Sequence, residues 1–190
     1  RAEYGLLYPL LKAIKKNQHF QLKIIACGMH LSKKHGYTYK EIEKDGFKID
    51  QKIKLLDGDK PKDISNSIAI GFNKFSNGFK KINPDILILL GDRFELFAPS
   101  VVSMLMNIPI FHIHGGEVTS GSYDDIIRHS ITKMSSYHFV ANEIYKKRVI
   151  QLGENPNTVF NVGGLGVENI KNEKLLSKKN IENQINFKLY

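Results

Sequence analysis

The chain contains no tryptophan, a single cysteine (Cys27) and only six prolines in 190 residues. A lone cysteine cannot close an internal disulfide, so a disulfide-stapled secreted scaffold is excluded and the fold must be held by a packed core. A cytoplasmic location fits this usage. No apolar run approaches the ~20 residues of a membrane span, so no membrane partner is expected. Arg1 to Lys16 is not patterned as a signal peptide, because its apolar positions are spaced helically and Glu3 interrupts them. Acidic residues are the scarcer sign, 19 against 28 basic, giving a formal charge of +9. A basic excess suits either nucleic acid or a small phosphorylated ligand. The lysine pairs (Lys15-Lys16, Lys33-Lys34, Lys80-Lys81, Lys146-Lys147, Lys178-Lys179) are scattered and not interleaved with aromatics, which speaks against a nucleic-acid groove and for a solvated surface. Phosphate-loop and nucleophile-elbow patterns are absent. Asn161-Val-Gly-Gly-Leu-Gly166 lacks the spacing of a dinucleotide fingerprint. No Cys/His cluster has metal-ligand spacing, so neither metal nor cofactor is expected.

What is present alternates. Helical patterns are read over Glu3–Lys16, Tyr39–Asp45, a stretch capped by Asp63 or Ser65 and running to about Ile82, Phe94–Met106, Asp124–Met134 and Glu143–Leu152. Strands are read at Leu22–Cys27, Ile49–Leu56 (edge-like), Asp85–Leu90, Pro109–His114, Tyr137–Val140 and Thr158–Val162. The five consecutive aliphatics after Asp85 predict a central strand buried on both faces. Strands alternating with helices predict an α/β fold with a doubly wound, mostly parallel, Rossmann-like sheet. In that scheme a first strand is expected ahead of Arg1. The lysine- and asparagine-rich Lys171–Asn186 reads as a linker helix. Residues 1–168 are therefore assigned to one domain, and 169–190 to a linker and the start of another.

In an open α/β sheet, ligands bind beyond the carboxyl ends of the strands. Asp92, Arg93, Glu95, His112, His114, Glu117, Asp124 and Asp125 fall at such ends and are expected to converge on one crevice, a set suited to proton transfer on a polar substrate. Each cluster has a plainer alternative. Asp92 could cap a helix while Arg93 pairs with Glu95. His112 and His114 alternate and should share one side of a strand. Gly115-Gly116 admits close backbone approach to a ligand, whereas Glu117 could be an ordinary turn residue. Asp124 and Asp125 beside Arg128 and His129 could supply an acid and a base, or only helix-terminal electrostatics. Arg1 could aim at a phosphate, or be a frayed terminus.

Several motifs in series carry a resemblance: Arg1-Ala-Glu-Tyr-Gly5, Gly28-Met-His-Leu-Ser32, Gly91-Asp-Arg-Phe-Glu95, His112-Ile-His-Gly-Gly-Glu117 and Asp124-Asp-Ile-Ile-Arg-His-Ser-Ile-Thr-Lys-Met-Ser135. Together they resemble the UDP-N-acetylglucosamine 2-epimerases, in particular the hydrolysing branch of sialic- and legionaminic-acid pathways. The resemblance runs from Arg1 to about Leu189. It implies the N-terminal half of a two-domain GT-B architecture with a nucleotide-sugar in the interdomain cleft. The implied reaction eliminates UDP to a glycal and then adds water, releasing a ManNAc-type sugar, with no cofactor and with a homodimer or larger homo-oligomer at full length. The resemblance also implies Asp92, Glu117 and Asp124 as catalytic, Asp125 as second choice, and Arg1 on the diphosphate. Glu95, Arg128, His129, Gly115 and Gly116 are implied to support substrate binding. Some members carry glutamate where His114 stands, so the second acid/base is either His114 or Glu117. Other readings are a non-hydrolysing 2-epimerase, a GT-B glycosyltransferase, or a half that only binds.

Overall fold

The computed structural model describes residues 2–55, 58, 60–172 and 176–188. It opens on helix α1 (Ala2–Lys16), with Glu3 in its first turn and Lys15 and Lys16 in its last, the charge order that complements a helix dipole. Strand β1 (Ile25–Cys27) runs into a 3-10 turn (Gly28–Leu31) and helix α2 (Tyr39–Lys44). Strand β2 (Gln51–Ile53) pairs parallel with β1, Ile25 opposite Gln51. Helix α3 (Pro61–Ile82) starts earlier than the expected Asp63 or Ser65 cap. Pro61 occupies its first turn, where the missing N–H has no intrahelical partner to lose. The helix stops at Asn83, whose left-handed φ of 50° ends the ladder.

The second half repeats a strand–helix unit: β3 (Leu87–Leu90), a 3-10 turn (Phe94–Leu96), α4 (Phe97–Leu105), β4 (Ile110–Ile113), α5 (Tyr123–Met134), β5 (Tyr137–Val140), α6 (Glu143–Gln151) and β6 (Val159–Asn161). The four strands lie in the order β3-β4-β5-β6, all pairs parallel. Two short helices, α7 (Leu165–Asn172) and α8 (Lys178–Ile185), take the place of the single expected linker helix, and Leu176 and Ser177 are not helical.

Helices α4, α5 and α6 pack on one face of the β3–β6 sheet, whereas on the other face Ile88, Tyr137 and Phe160 are exposed. Tyr4, Ile42 and Phe47 pack with Ile24 beneath α1 and α2, while Ile53, Phe75, Phe79, Ala98 and Val102 join Ile25 and Cys27 under α3 and α4. Leu89, Ile110 and Ile131 form the core below α5, and Val140, Val149 and Val159 the core below α6.

The expectation of a β3 buried on both faces is corrected. Leu87 and Leu89 point at the helices, but Ile86 and Ile88 are 38% and 37% exposed. Among the described residues no ladder joins β1 to β3. An apolar cavity of about 630 Å³, lined by Ile24 to Cys27 on one side and Ile86 to Leu90 on the other, lies there instead.

Candidate active site

Three chain segments build the site. The first is the tip of β3. Gly91 turns the chain with a φ of +83°, a conformation that glycine adopts without strain, and its N–H donates to the Ile113 carbonyl at 3.0 Å, tying the tips of β3 and β4 together. Asp92 follows. It does not cap the next turn: Arg93 is the residue at that boundary, and no side chain bonds there. Instead, Asp92 Oδ2 accepts from Arg128 Nη2. The Arg93–Glu95 pair is present, with Nε and Nη2 each 3.2 Å from a carboxylate oxygen. Glu95 is buried beneath Arg93 and against Gly28, where a Cβ would lie 2.8 Å from Glu95 Cγ. Its carboxylate is engaged by Arg93. Burial opposes the charge on Arg93, yet Glu95, Glu3 and Asp124 outweigh it and hold the guanidinium above its ordinary value.

The second segment follows β4. The strand ends at Ile113, so His112 and His114 do not share it. His114 takes a left-handed φ of +64°, which removes it from the strand's alternation. Its Nδ1 lies 3.0 Å from Glu117 Oε1. That hydrogen bond holds the Glu117 carboxyl below its usual value, with the charge of Arg128 assisting. The bare side of Gly116 faces α6, where a Cβ would meet Tyr145 O at 2.5 Å, and Arg148 Nη1 donates to the Gly116 carbonyl. A Cβ on Gly115 would lie 3.2 Å from both His112 Nδ1 and Thr132 Oγ1. A side chain at either glycine would therefore crowd the protein itself.

The third segment is the start of α5. Ser122 Oγ accepts from the Asp124 N–H at 3.2 Å and donates to Asp124 Oδ2 at 2.9 Å. Asp125 Oδ1 accepts from the Thr119 N–H at 2.9 Å and from Arg128 Nη1 at 3.3 Å, and its Oδ2 lies 3.5 Å from His129 Nε2. Arg128, 5% exposed, is the hub: it donates to Asp92, to Asp125 and, at 2.9 Å, to Thr119 Oγ1. A guanidinium presents its donors in a fixed fork, so these partners fix the β3 tip, the loop after β4 and α5 in one arrangement.

Asp92, Asp125, Arg128 and Thr119 are thus in contact, Glu117 is near enough to feel Arg128, and Asp124 near enough to act on Arg93. The apolar cavity beside β3 is lined by Arg93 and Glu95 and not by Asp92, Glu117, Asp124 or Asp125. Arg1 lies outside the described residues. Cys27, placed by the sequence in a buried strand, is in β1, and burial and then Glu95 push its thiol up to about 12, far from a nucleophile. Among the described residues no group of three or more His, Cys, Asp or Glu is arranged to hold a metal. Thr119, Ser122, Thr132 and Arg148 were not foreseen. Only Ser122 carries a local signal, the Ser-x-x-Asp pattern of a helix start.

The model of the UDP-N-acetylglucosamine 2-epimerase family matches residues 12–189. The chain is 48% identical over 190 residues to a Campylobacter jejuni protein named GDP/UDP-N,N'-diacetylbacillosamine 2-epimerase (hydrolyzing), covering 100% of this chain and 49% of that one. It is 38% identical over 185 residues to the UDP-N,N'-diacetylbacillosamine 2-epimerase (hydrolyzing) of Legionella pneumophila, covering 97% and 48%. It superposes on the Neisseria meningitidis UDP-GlcNAc 2-epimerase solved with UDP-GlcNAc at a TM-score of 0.78, with 18% identity over 98% of this chain and 52% of that one. The chain spans about half the length of the relatives it matches.

Proposed function

The chain belongs to the UDP-N-acetylglucosamine 2-epimerase family, and from that premise we propose that it is the N-terminal half of a hydrolysing 2-epimerase acting on a UDP-linked 2-acetamido sugar. The observation that carries the proposal is the single rim on which Asp92, Glu117 and the Asp124–Asp125 turn meet around Arg128. Breaking the C2–H and C1–O bonds of such a sugar needs a base at C2 and compensation of the charge that leaves with the diphosphate. Adding water to the resulting glycal then needs a proton returned to C2 on the opposite face. A carboxylate kept ionised, as Glu117 is by His114, suits the accepting role. His114, hydrogen-bonded to it, is the other candidate proton-transfer group. Asp124 has only Ser122 on its carboxylate among the hydrogen bonds described, which leaves capacity to hold a sugar hydroxyl or share the proton transfers. Asp92 is held by Arg128 and is a further candidate carboxylate for the proton transfers.

The names of the Campylobacter and Legionella relatives favour N,N'-diacetylbacillosamine as the sugar, with UDP-GlcNAc as the alternative substrate. The proposal takes the full-length protein to be a cytoplasmic homo-oligomer. Among the described residues no helix is long and apolar enough to cross a membrane. Incubating the full-length protein with each nucleotide-sugar tests the activity. Free UDP with a mannose-configured sugar supports the hydrolysing reading. Intact UDP-linked epimer points to the non-hydrolysing one, and transfer to an acceptor without epimerisation to a glycosyltransferase. Light scattering of the full-length protein tests the assembly, and a monomer overturns that part.

A further inference from the structure

His112 lies in β4 and is completely buried, at the helix-covered face of the sheet. Its Nε2 is 2.8 Å from the Gly91 carbonyl, and its Nδ1 is 3.2 Å from Thr132 Oγ1. A carbonyl can only accept, so Nε2 carries the ring proton and Nδ1 is the acceptor. Thr132 Oγ1 also lies 3.0 Å from the Arg128 carbonyl, so its one proton is shared between that oxygen and His112 Nδ1. The imidazole therefore bridges the peptide just before Asp92 to the helical turn that begins at Arg128. Asp92 and Arg128 are themselves the ion pair spanning the same two elements. The bridge is tightly enclosed, since even a Cβ on Gly115 would come within 3.2 Å of both His112 Nδ1 and Thr132 Oγ1. His138 stands beside it in register on β5.

We propose that His112 is a positioning residue: by donating to Gly91 and accepting from Thr132 it sets the separation of the β3 tip from α5, and so the geometry of the Asp92–Arg128 pair. A buried histidine that merely filled space would be replaceable by any residue of its volume. A positioning histidine is replaceable only by one that restores the donor to Gly91. Glutamine can reach with an N–H to where Nε2 stands; leucine cannot.

The kinetic consequence rests on the epimerase reading, whereas the geometric one does not, so the test reads both in the full-length protein. His112→Leu is expected to lower kcat by at least ~10-fold with KM within about 3-fold, because displacing reacting groups by a fraction of an ångström carries penalties of this order. His112→Gln is expected to recover most of that loss. In nitrogen-15 NMR the Arg128 guanidinium protons should exchange faster with solvent in His112→Leu than in the wild type, and slowly again in His112→Gln. If His112→Leu does not fold, Thr132→Val removes the other end of the bridge and should move kcat and the Arg128 protons in the same direction. Wild-type kcat and an unchanged Arg128 signal in His112→Leu or in Thr132→Val overturn the proposal, as does a His112→Gln no better than leucine in both readouts. If the wild type converts no nucleotide-sugar, the epimerase reading fails and the Arg128 exchange alone decides the role of His112.

Discussion

At the scale of single residues, Arg128 carries the most consequence. It is nearly buried and supplies the hydrogen bonds that hold Asp92, Asp125 and Thr119 together. Removing one member of a buried ion pair leaves its partner's charge uncompensated, typically at a cost of about 3–5 kcal/mol. Arg128→Met should therefore lower the urea midpoint by the equivalent of about 3 kcal/mol, the lower end being apt because Asp92 retains some access to water. A midpoint within error of the wild type would show that the pair is not structural. Two titrations follow from the same neighbourhood. Glu117 is held below its ordinary value by His114, so its stabilising contribution is complete above the unfolded carboxyl range and is lost as pH falls through the folded value. Carbon-13 NMR should place the Glu117 midpoint below 4.5 in the wild type and closer to it in His114→Ala. Burial pushes His112 down to about 4 from 6.5, with the Gly91 carbonyl opposing and the neighbouring His138 assisting. A histidine held neutral when folded stabilises fully above its unfolded value, and that contribution is lost as pH falls from about 6.5 towards 4. The stability of His112→Gln should lose this part of the wild-type decline over that window.

At the scale of elements, α3 against α4 offers a test with an unusual sign. Gly71 lies inside α3, where alanine is normally the better helix former by about 1 kcal/mol. A Cβ at Gly71 would sit 2.8 Å from the Cβ of Ala98, which is buried in α4. Gly71→Ala should thus destabilise, by about 1–3 kcal/mol for an overpacked contact between two helices, read by thermal or urea unfolding. A more stable variant would show that α3 can move away freely. Most elements were legible because local pattern decides them. Tyr137–Val140 was read with its boundaries as found, and the ends of α5 and α6 differ from their readings by one residue at most. Misreadings occurred where distant contacts decide. Ile86 and Ile88 look like core residues in the sequence, yet they face the cavity beside β1 because the sheet is divided there. His114 alternates with His112 in sequence, but β4 ends before it. The contacts of Gly115 and Gly116 with Thr132 and Tyr145, remote in sequence, likewise have no local signal. The carboxylates were legible because strand ends collect them; their shared partner Arg128, 36 residues from Asp92, has no local signature of that pairing.

At the scale of the whole molecule, the chain spans about half the length of its relatives, and in the proposed function it forms one wall of the site. On that proposal, proton transfer at C2 and departure of the diphosphate take place on one substrate held from both sides, so the 190-residue chain alone should turn over no nucleotide-sugar while the full-length protein does. Equal rates from both would show that one wall suffices. Within the full-length protein, Asp92→Asn, Glu117→Gln and Asp124→Asn should each lower kcat by ~10²–10⁴-fold, the range for loss of a positioned acid or base. Full activity in all three would remove the site from this rim. The most direct test is turnover of the full-length protein in deuterated water with UDP-N,N'-diacetylbacillosamine and with UDP-GlcNAc, analysed by proton NMR. Free UDP and a mannose-configured sugar bearing deuterium at C2 is the predicted result. A product that keeps the original proton at C2 would contradict it, because no base on this rim could then have opened that bond.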